Sequence, residues 1–191
     1  MNFYVWSLIA CWTVFIVYWA ISAFNVKQDI RGSWWQRMGW ARIVVMAIVL
    51  AWLSRDRSFG HYTHFIDIWQ PMTTPALATI GVALCVIGTA LAIWARVHLG
   101  RNWSPIPTLK QEHELVTSGP YQLIRHPIYT GIILSALGSG LVLPFWLVIL
   151  IIIVAMFVWR VYREEALMLK QFPNQYPAYK ARTWALVPWV W

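Results

Sequence analysis

Charge is what this sequence has least of. Asp, Glu, Lys and Arg make up 12% of its 191 residues, about half the share found in soluble globular domains. So little charge excludes a disordered chain and argues against a water-soluble one. Acidic residues are the scarcer sign, seven against fifteen Lys and Arg, for a formal net charge of +8. The cations lie in short stretches between apolar runs and never form the continuous basic face that nucleic acid requires, so no nucleic-acid partner is expected. Cysteine is nearly missing. Cys11 and Cys85 both fall inside apolar runs, which excludes a disulfide framework or a cysteine metal cluster and leaves them as small packing residues. His61 and His64 stand three apart with no cysteine companion at ligand spacing, and no metal site is expected. Phosphate cradles and nucleophile elbows are also absent: there is no G-x-G-x-x-G between a strand and a helix, no G-x-x-x-x-G-K-S/T and no G-x-S-x-G.

Apolar residues are what the chain has in abundance: 60% of it, with mean hydropathy +0.56 and with 15 Trp and 8 Tyr. Trp and Tyr rings carry one polar atom each and settle at headgroup depth, so the composition reads as an integral membrane protein. Residues 3–24 are 22 without a charge, enough to cross a hydrocarbon core of about 30 Å. A cleaved signal peptide would need a basic start and a shorter core. A shorter run, 38–53, holds Arg42 near one end, where a long side chain can snorkel. Residues 68–95, with Pro71 and Pro75 as breakers, supply a third span. The 33 uncharged residues 127–159 are too long for one crossing, and Leu143-Pro144 divides them. The expectation is therefore an all-α fold of five transmembrane helices, the last two (128–143 and 145–163) forming a helical hairpin, with a cytoplasmic C-terminal helical segment.

The basic residues orient this arrangement. Lys27, Arg31, Arg37 and Arg42 follow span one; Arg96, Arg101, Lys110 and Arg125 follow span three; Arg160, Arg163, Lys170, Lys180 and Arg182 follow span five. Only Arg55 and Arg57 fall opposite. The N-terminus is thus placed outside and the C-terminus in the cytoplasm, across the plasma (inner) membrane in a bacterium.

The polar matter on the cytoplasmic side lies in two pieces, 99–126 and 160–191. The first exceeds the 8 or so residues that a helix connector needs, which implies a job. Gly119-Pro120 marks a turn, and His126-Pro127 opens the next helix with Pro in its first turn. Arg125, His126 and Tyr129 are thereby set at the hairpin mouth. In the second piece Arg160 and Glu164 stand i and i+4, with Glu165 beside them. Spacing alone is that of a surface ion pair worth about 0.3 to 0.5 kcal/mol; a charged pair at the edge of hydrocarbon also reads as a functional site. Gly138-Ser139-Gly140 is read as a point of close helix packing.

The ordered set His113-x-Leu115-Val116-Thr117-x-Gly119-x-Tyr121, then Arg125-His126-Pro127-x-Tyr129-x-Gly131, then Arg160 with Glu164-Glu165 ahead of Phe172 and Tyr176, resembles the isoprenylcysteine carboxyl methyltransferase family and its phospholipid methyltransferase relatives. The resemblance covers residues 99 to about 188. It implies an integral membrane methyltransferase using S-adenosylmethionine and acting on a lipophilic acceptor, either the carboxylate of a prenylcysteine-like compound or an amine lipid. It also implies a cofactor pocket lined by His113, Leu115, Val116, Tyr121, Arg125, His126, Pro127 and Tyr129, shaped by Gly119 and Pro120, with Arg160 and Glu164 as the catalytic pair near the acceptor. Residues 1–74 then carry two spans and loops, and 75–191 the catalytic core, within one membrane domain.

Methyl transfer from a sulfonium mainly needs alignment and exclusion of water, which suits a site with so few acid–base groups. An ionised carboxylate needs no base, and Arg160 can orient it; an amine needs deprotonation, with Glu164 as the candidate base. A membrane reductase of the sterol type, using NADPH, shares an Arg-His-x-x-Tyr element. Its cofactor's phosphates call for several cations, and residues 99–129 offer only Arg101, Lys110 and Arg125. A non-catalytic membrane protein is the remaining alternative.

Overall fold

The computed structural model describes residues 3–22, 73–103, 115–143 and 145–191. The span expected at 38–53, with Arg55 and Arg57, and the site residue His113 lie outside them. Helix α1 (Phe3–Ser22) is followed by α2 (Pro75–Leu99), a 3-10 turn at Gly100–Asn102 and a second at Gly119–Gln122. Helices α3 (Pro127–Val142), α4 (Phe145–Gln171) and α5 (Tyr176–Ala181) complete the described chain. No strand occurs among the described residues, which contain one isolated parallel bridge, Ile124 to Trp184. By length and composition α1, α2 and α4 can each cross a membrane, whereas α3 is a shorter apolar helix.

Prolines place the helix starts. Pro75 and Pro127 stand in the first turns of α2 and α3, where a missing N–H costs nothing because that group has no intrahelical acceptor. Thr74 caps α2 by accepting the Leu77 N–H at 3.3 Å. Two ends differ from expectation. Helix α2 runs past Ala95 to Leu99, and α4 runs past Arg163 to Gln171, because the charged residues there are paired within the protein instead of ending the helix in water.

Helices α2 and α3 pack most closely. A Cβ on Gly81 would lie 2.6 Å from the Gly138 carbonyl oxygen, and one on Gly88 would lie 2.5 Å from that of Gly131. The two glycine pairs run in opposite order along the two helices, so α2 and α3 meet antiparallel and backbone to backbone, as small residues permit inside a membrane. The packing expectation for residues 138–140 holds here. Beside this seam the Ser139 hydroxyl donates to Ser135 O at 2.8 Å and accepts the Trp12 indole N–H at 3.1 Å. Cys85 is buried in the same layer with Val5 and Leu8 of α1, as a packing residue.

Arg96 corrects one expectation. Counted above with the cytoplasmic loop charges, it is in fact 2% exposed. Its guanidinium donates to Gly100 O at 2.6 Å and to Ser22 O at 2.9 Å, and it lies 4.7 Å over the Trp103 ring. Those carbonyls close the C-terminal ends of α2 and α1. Each end carries about half a negative charge, so two together offset one guanidinium that has no carboxylate partner among the described residues. Arg96 is a staple between two helices.

After α5 the chain folds back over the start of α3. The Trp184 N–H donates to Leu123 O at 3.1 Å, the Arg125 N–H to Trp184 O at 2.7 Å, and the His126 N–H to Ala185 O at 3.0 Å. The Thr130 hydroxyl donates to Leu186 O at 2.7 Å. Ala185 and Leu186 are buried against Val161 of α4. This clasp joins the far end of the chain to the segment that carries the sequence motif.

Candidate functional site

The site lies where the N-terminus of α3, the charged half of α4 and the clasp converge. His126 is the N-cap residue of α3, with Tyr129 in that helix's first turn. Their rings stack at 5.4 Å and 5° between planes, and Phe157 of α4 also stacks on Tyr129, at 4.3 Å and 10°. The Tyr129 hydroxyl donates to Glu164 Oε1 at 2.6 Å. Arg160 Nε donates to the same carboxylate oxygen at 2.8 Å and to the Tyr129 oxygen at 2.6 Å. Arg160 and Glu164 are therefore not a solvated pair on a helix surface; Tyr129 and the stack above it hold them in one geometry.

Successive residues on a helix point about 100° apart, so Glu165 serves a second cluster. Arg125 Nε donates to its Oε1 at 2.6 Å and Lys180 Nζ to its Oε2 at 2.5 Å. The same Arg125 donates to the carbonyls of Lys180, at 3.2 Å, and Thr183. His126 bridges the two clusters, with Nδ1 3.5 Å from Glu164 Oε2 and Nε2 3.8 Å from Glu165 Oε1. Burial alone would push the His126 imidazolium toward neutrality. The two nearby carboxylates, Glu164 and Glu165, outweigh that and hold it above the ordinary histidine value. Nε2 is buried and makes no hydrogen bond, since 3.8 Å is too long for one.

The loop ahead of α3 forms the apolar wall. Tyr121 is buried with Ala95 and Ile128, and Val116, Trp19, Trp103 and Tyr129 pack against them. Burial pushes the Tyr121 phenol well above its ordinary value and that of Tyr179 up to about 12. Both stay protonated, as the Tyr179 hydroxyl must to donate to Tyr121 O at 2.7 Å. Gly119 has φ +59°, and a Cβ there would lie 2.5 Å from Nε2 of His98. The turn thus needs glycine for its backbone and for the approach of that imidazole. Pro120 is buried behind it.

Of the residues singled out from the sequence, Arg125, His126, Tyr129, Arg160 and Glu164 come together in these clusters. Pro127 starts the helix that aims them, and Val116, Gly119, Pro120 and Tyr121 build the adjoining wall. Leu115 is half-buried at the start of this loop. Three partners were not expected: Glu165 as a buried hub, Lys180 and Thr183. Only the adjacency of Glu165 to Glu164 hinted at any of them.

A helical membrane-type fold with a charged cluster at the end of two of its helices is the class this geometry defines. The family model described as "Phospholipid methyltransferase" matches residues 77–175, and the chain belongs to that family. Protein-S-isoprenylcysteine O-methyltransferase B of Arabidopsis thaliana is 33% identical over 123 residues, covering 60% of this chain and 60% of that protein. Cobalt-zinc-cadmium resistance protein CzcN of Cupriavidus metallidurans is 27% identical over 150 residues, covering 77% and 63%. The solved structure of a eukaryotic intramembrane Ras methyltransferase, an isoprenylcysteine carboxyl methyltransferase, superposes with a TM-score of 0.54 at 26% identity, over 78% of this chain and 53% of that one. The chain thus spans only about half to two thirds of the length of these relatives. The resemblance to the isoprenylcysteine carboxyl methyltransferases and their phospholipid methyltransferase relatives holds.

Proposed function

We propose that this protein is an S-adenosylmethionine-dependent membrane methyltransferase whose acceptor is a carboxylate on a lipophilic molecule reaching the site from the bilayer. The observation that carries the carboxylate reading is the state of Glu164. Its Oε1 accepts hydrogen bonds from Tyr129 and Arg160, and its Oε2 faces the His126 ring at 3.5 Å. A carboxylate held by three such neighbours is a weak base, poorly suited to taking a proton from an ammonium acceptor. The surrounding charge argues the same way. Among the described residues Arg125, Arg160, Lys180 and the His126 imidazolium face two carboxylates, a positive surplus that favours an anionic acceptor and opposes a cationic one.

The residues present fit the cofactor. His126 keeps one buried nitrogen without a hydrogen-bond partner, and Val116 and Tyr121 supply an apolar, partly aromatic wall. When bound, S-adenosylmethionine supplies a methyl group on a sulfonium, whose charge is lost in an in-line displacement. Leu115, Val116, Tyr121, Pro127 and Tyr129, with His113 ahead of them, line the pocket in this reading. Aromatic faces favour a sulfonium by about 0.5 to 2 kcal/mol. Arg160, fixed through Nε, orients the acceptor carboxylate. Glu164 fixes Arg160 and Tyr129 and takes no proton. Arg125 acts through the clasp, which keeps water out.

The reading extends to topology: one membrane domain of five spans, α3 and α4 forming the last hairpin, the N-terminus outside and the site on the cytoplasmic side. The metal-resistance relative covers more of this chain than the prenylcysteine enzyme does, 77% against 60%, so the acceptor class is drawn from the site and not from a relative's name. Calorimetric titration of purified protein in detergent tests the cofactor: saturable heat with S-adenosylhomocysteine and none with NADPH is expected, and the reverse would establish the reductase. Transfer of a labelled methyl group to membrane extracts tests the acceptor. Alkali should release the label as methanol from an ester; alkali-stable label would mean an amine.

A further inference from the structure

The outer side of the clasp is apolar and exposed, which the methyl-transfer reading does not use. Trp189 is 82% and Val190 78% exposed, and Val187 is half exposed. These side chains do not belong to a frayed tail. The Leu186 N–H donates to Trp191 O, and the N–H groups of Val190 and Trp191 both donate to Val187 O, each at 3.1 Å. Within this closed turn Trp189 holds φ +63°, a left-handed backbone that bulky residues avoid and that persists where the surroundings impose it. The turn holds the ring outward.

The patch also has a neighbour. The outer face of α4 exposes Val148, Ile151, Ile152, Met156, Trp159 and Tyr162, an i, i+3/i+4 stripe on a helix able to cross a membrane. Trp191 meets the end of that stripe, with its ring 5.6 Å from Tyr162. Arg163 lies 4.8 Å over the Trp159 ring, a pairing of cation and indole suited to headgroup depth. The lipid-facing surface of α4 therefore runs without a break onto the turn.

We propose that residues 187–191 form a lipid-interface anchor, with Val187, Trp189 and Val190 set among the headgroups and upper acyl chains of the leaflet on the site's side. The anchor makes the clasp two-sided. Its inner edge holds the backbone of Leu123, Arg125 and His126, and its outer edge is held by phospholipid. Closure over the site is thus coupled to the presence of a bilayer.

The test uses the whole protein with fluorotryptophan, reconstituted in nanodiscs of phosphatidylcholine and phosphatidylglycerol. The fluorine resonance lost in Trp189→Phe identifies Trp189, and that lost in Trp159→Phe identifies Trp159. A nitroxide high on the acyl chain should broaden Trp189 strongly, and a soluble gadolinium chelate should broaden it little. Stronger broadening by gadolinium, or by neither probe, would overturn the anchor, the second outcome meaning that protein covers it. Trp159 separates the causes: a Trp159 resonance untouched by the nitroxide would overturn the membrane placement along with the anchor. Trp189→Asn keeps a residue that accepts positive φ while removing the ring. Because the Trp189 ring also meets Trp184, at 5.4 Å between centroids, the comparison is between surroundings: hydrogen exchange at the Trp184 and Leu186 amides should rise several-fold more in nanodiscs than in detergent micelles, and an equal rise in both, or none, would refute the coupling.

Discussion

Glu165→Gln removes one charge from a carboxylate whose side chain is 8% exposed and which faces Arg125 at 2.6 Å and Lys180 at 2.5 Å, with the His126 ring farther off at 3.8 Å. The two pairs differ in weight. Lys180 keeps 46% of its side-chain exposure, so its share is that of a half-solvated pair, about 0 to 1 kcal/mol. Arg125 is as buried as Glu165, and removing the partner of a buried charge costs about 3 to 5 kcal/mol. The glutamine can still accept from Arg125 through its carbonyl, which recovers part of the loss. Its amide, however, meets the Lys180 ammonium donor to donor. The expected net cost is about 3 kcal/mol, at the lower edge of that buried-pair range. For a chain of this size that lowers the thermal midpoint by roughly 6 to 12 °C, read by circular dichroism in detergent. Lys180→Met should move it by about 2 to 4 °C at most, since a half-exposed pair contributes no more than about 1 kcal/mol. If Glu165→Gln shifts the midpoint no more than Lys180→Met does, the buried hub does not hold the clasp and the reasoning fails.

Gly88→Ala places a Cβ 2.5 Å from Gly131 O, so α2 and α3 must part, at a cost of about 1 to 3 kcal/mol visible as a lower melting midpoint; an unchanged midpoint would show the seam to be loose. His126 stabilises the fold as an imidazolium. Because its folded value is raised, that contribution is complete below the unfolded value of about 6.5 and is lost as pH climbs through the higher folded value. Thermal midpoints should therefore fall as pH rises above about 6.5, with the slope flattened in His126→Gln; parallel slopes would refute it. Glu164→Gln should cut turnover about 10- to 100-fold through misplacement of Arg160 and Tyr129 while leaving S-adenosylhomocysteine affinity in calorimetry largely intact. Full activity would remove Glu164 from the site.

What could be read from the sequence was whatever depends on neighbours along the chain. Pro75 and Pro127 mark helix starts because a missing N–H acts locally, and the 127–159 run is too long for one span whatever surrounds it. The His126, Tyr129, Arg160 and Glu164 grouping was legible through an i, i+4 pair and a proline-led helix. Arg96 was not, because its acceptors are backbone carbonyls and one, Ser22 O, is 74 positions away; no residue type announces a carbonyl. The end of α4 was missed for a related reason. A charge after an apolar run looks like the exit into water, and only the fold shows that Glu165 turns inward to Arg125, 40 positions earlier. Glu164 and Glu165 are alike in sequence, and the rotation of α4 alone gives each its own cluster.

His126 is the point at which those two clusters meet, and it makes them thermodynamically dependent. An imidazolium between two carboxylates at 3.5 and 3.8 Å is favoured by both, so losing one carboxylate weakens the proton's hold and with it the attraction to the other. Glu164→Gln and Glu165→Gln should therefore not add. In a double-mutant cycle on the melting free energy the double variant should lose less than the sum of the singles, by about 0.5 to 3 kcal/mol, the range for residues sharing a partner. The same cycle in a His126→Asn background, where the shared proton is gone, should close to within about 0.5 kcal/mol. Coupling that survives in that background would place the link in the α4 backbone and not in the histidine. Closure in both backgrounds would show that the clasp and the Tyr129–Arg160 cluster act separately, and that clasp closure does not reach the residues proposed to orient the acceptor.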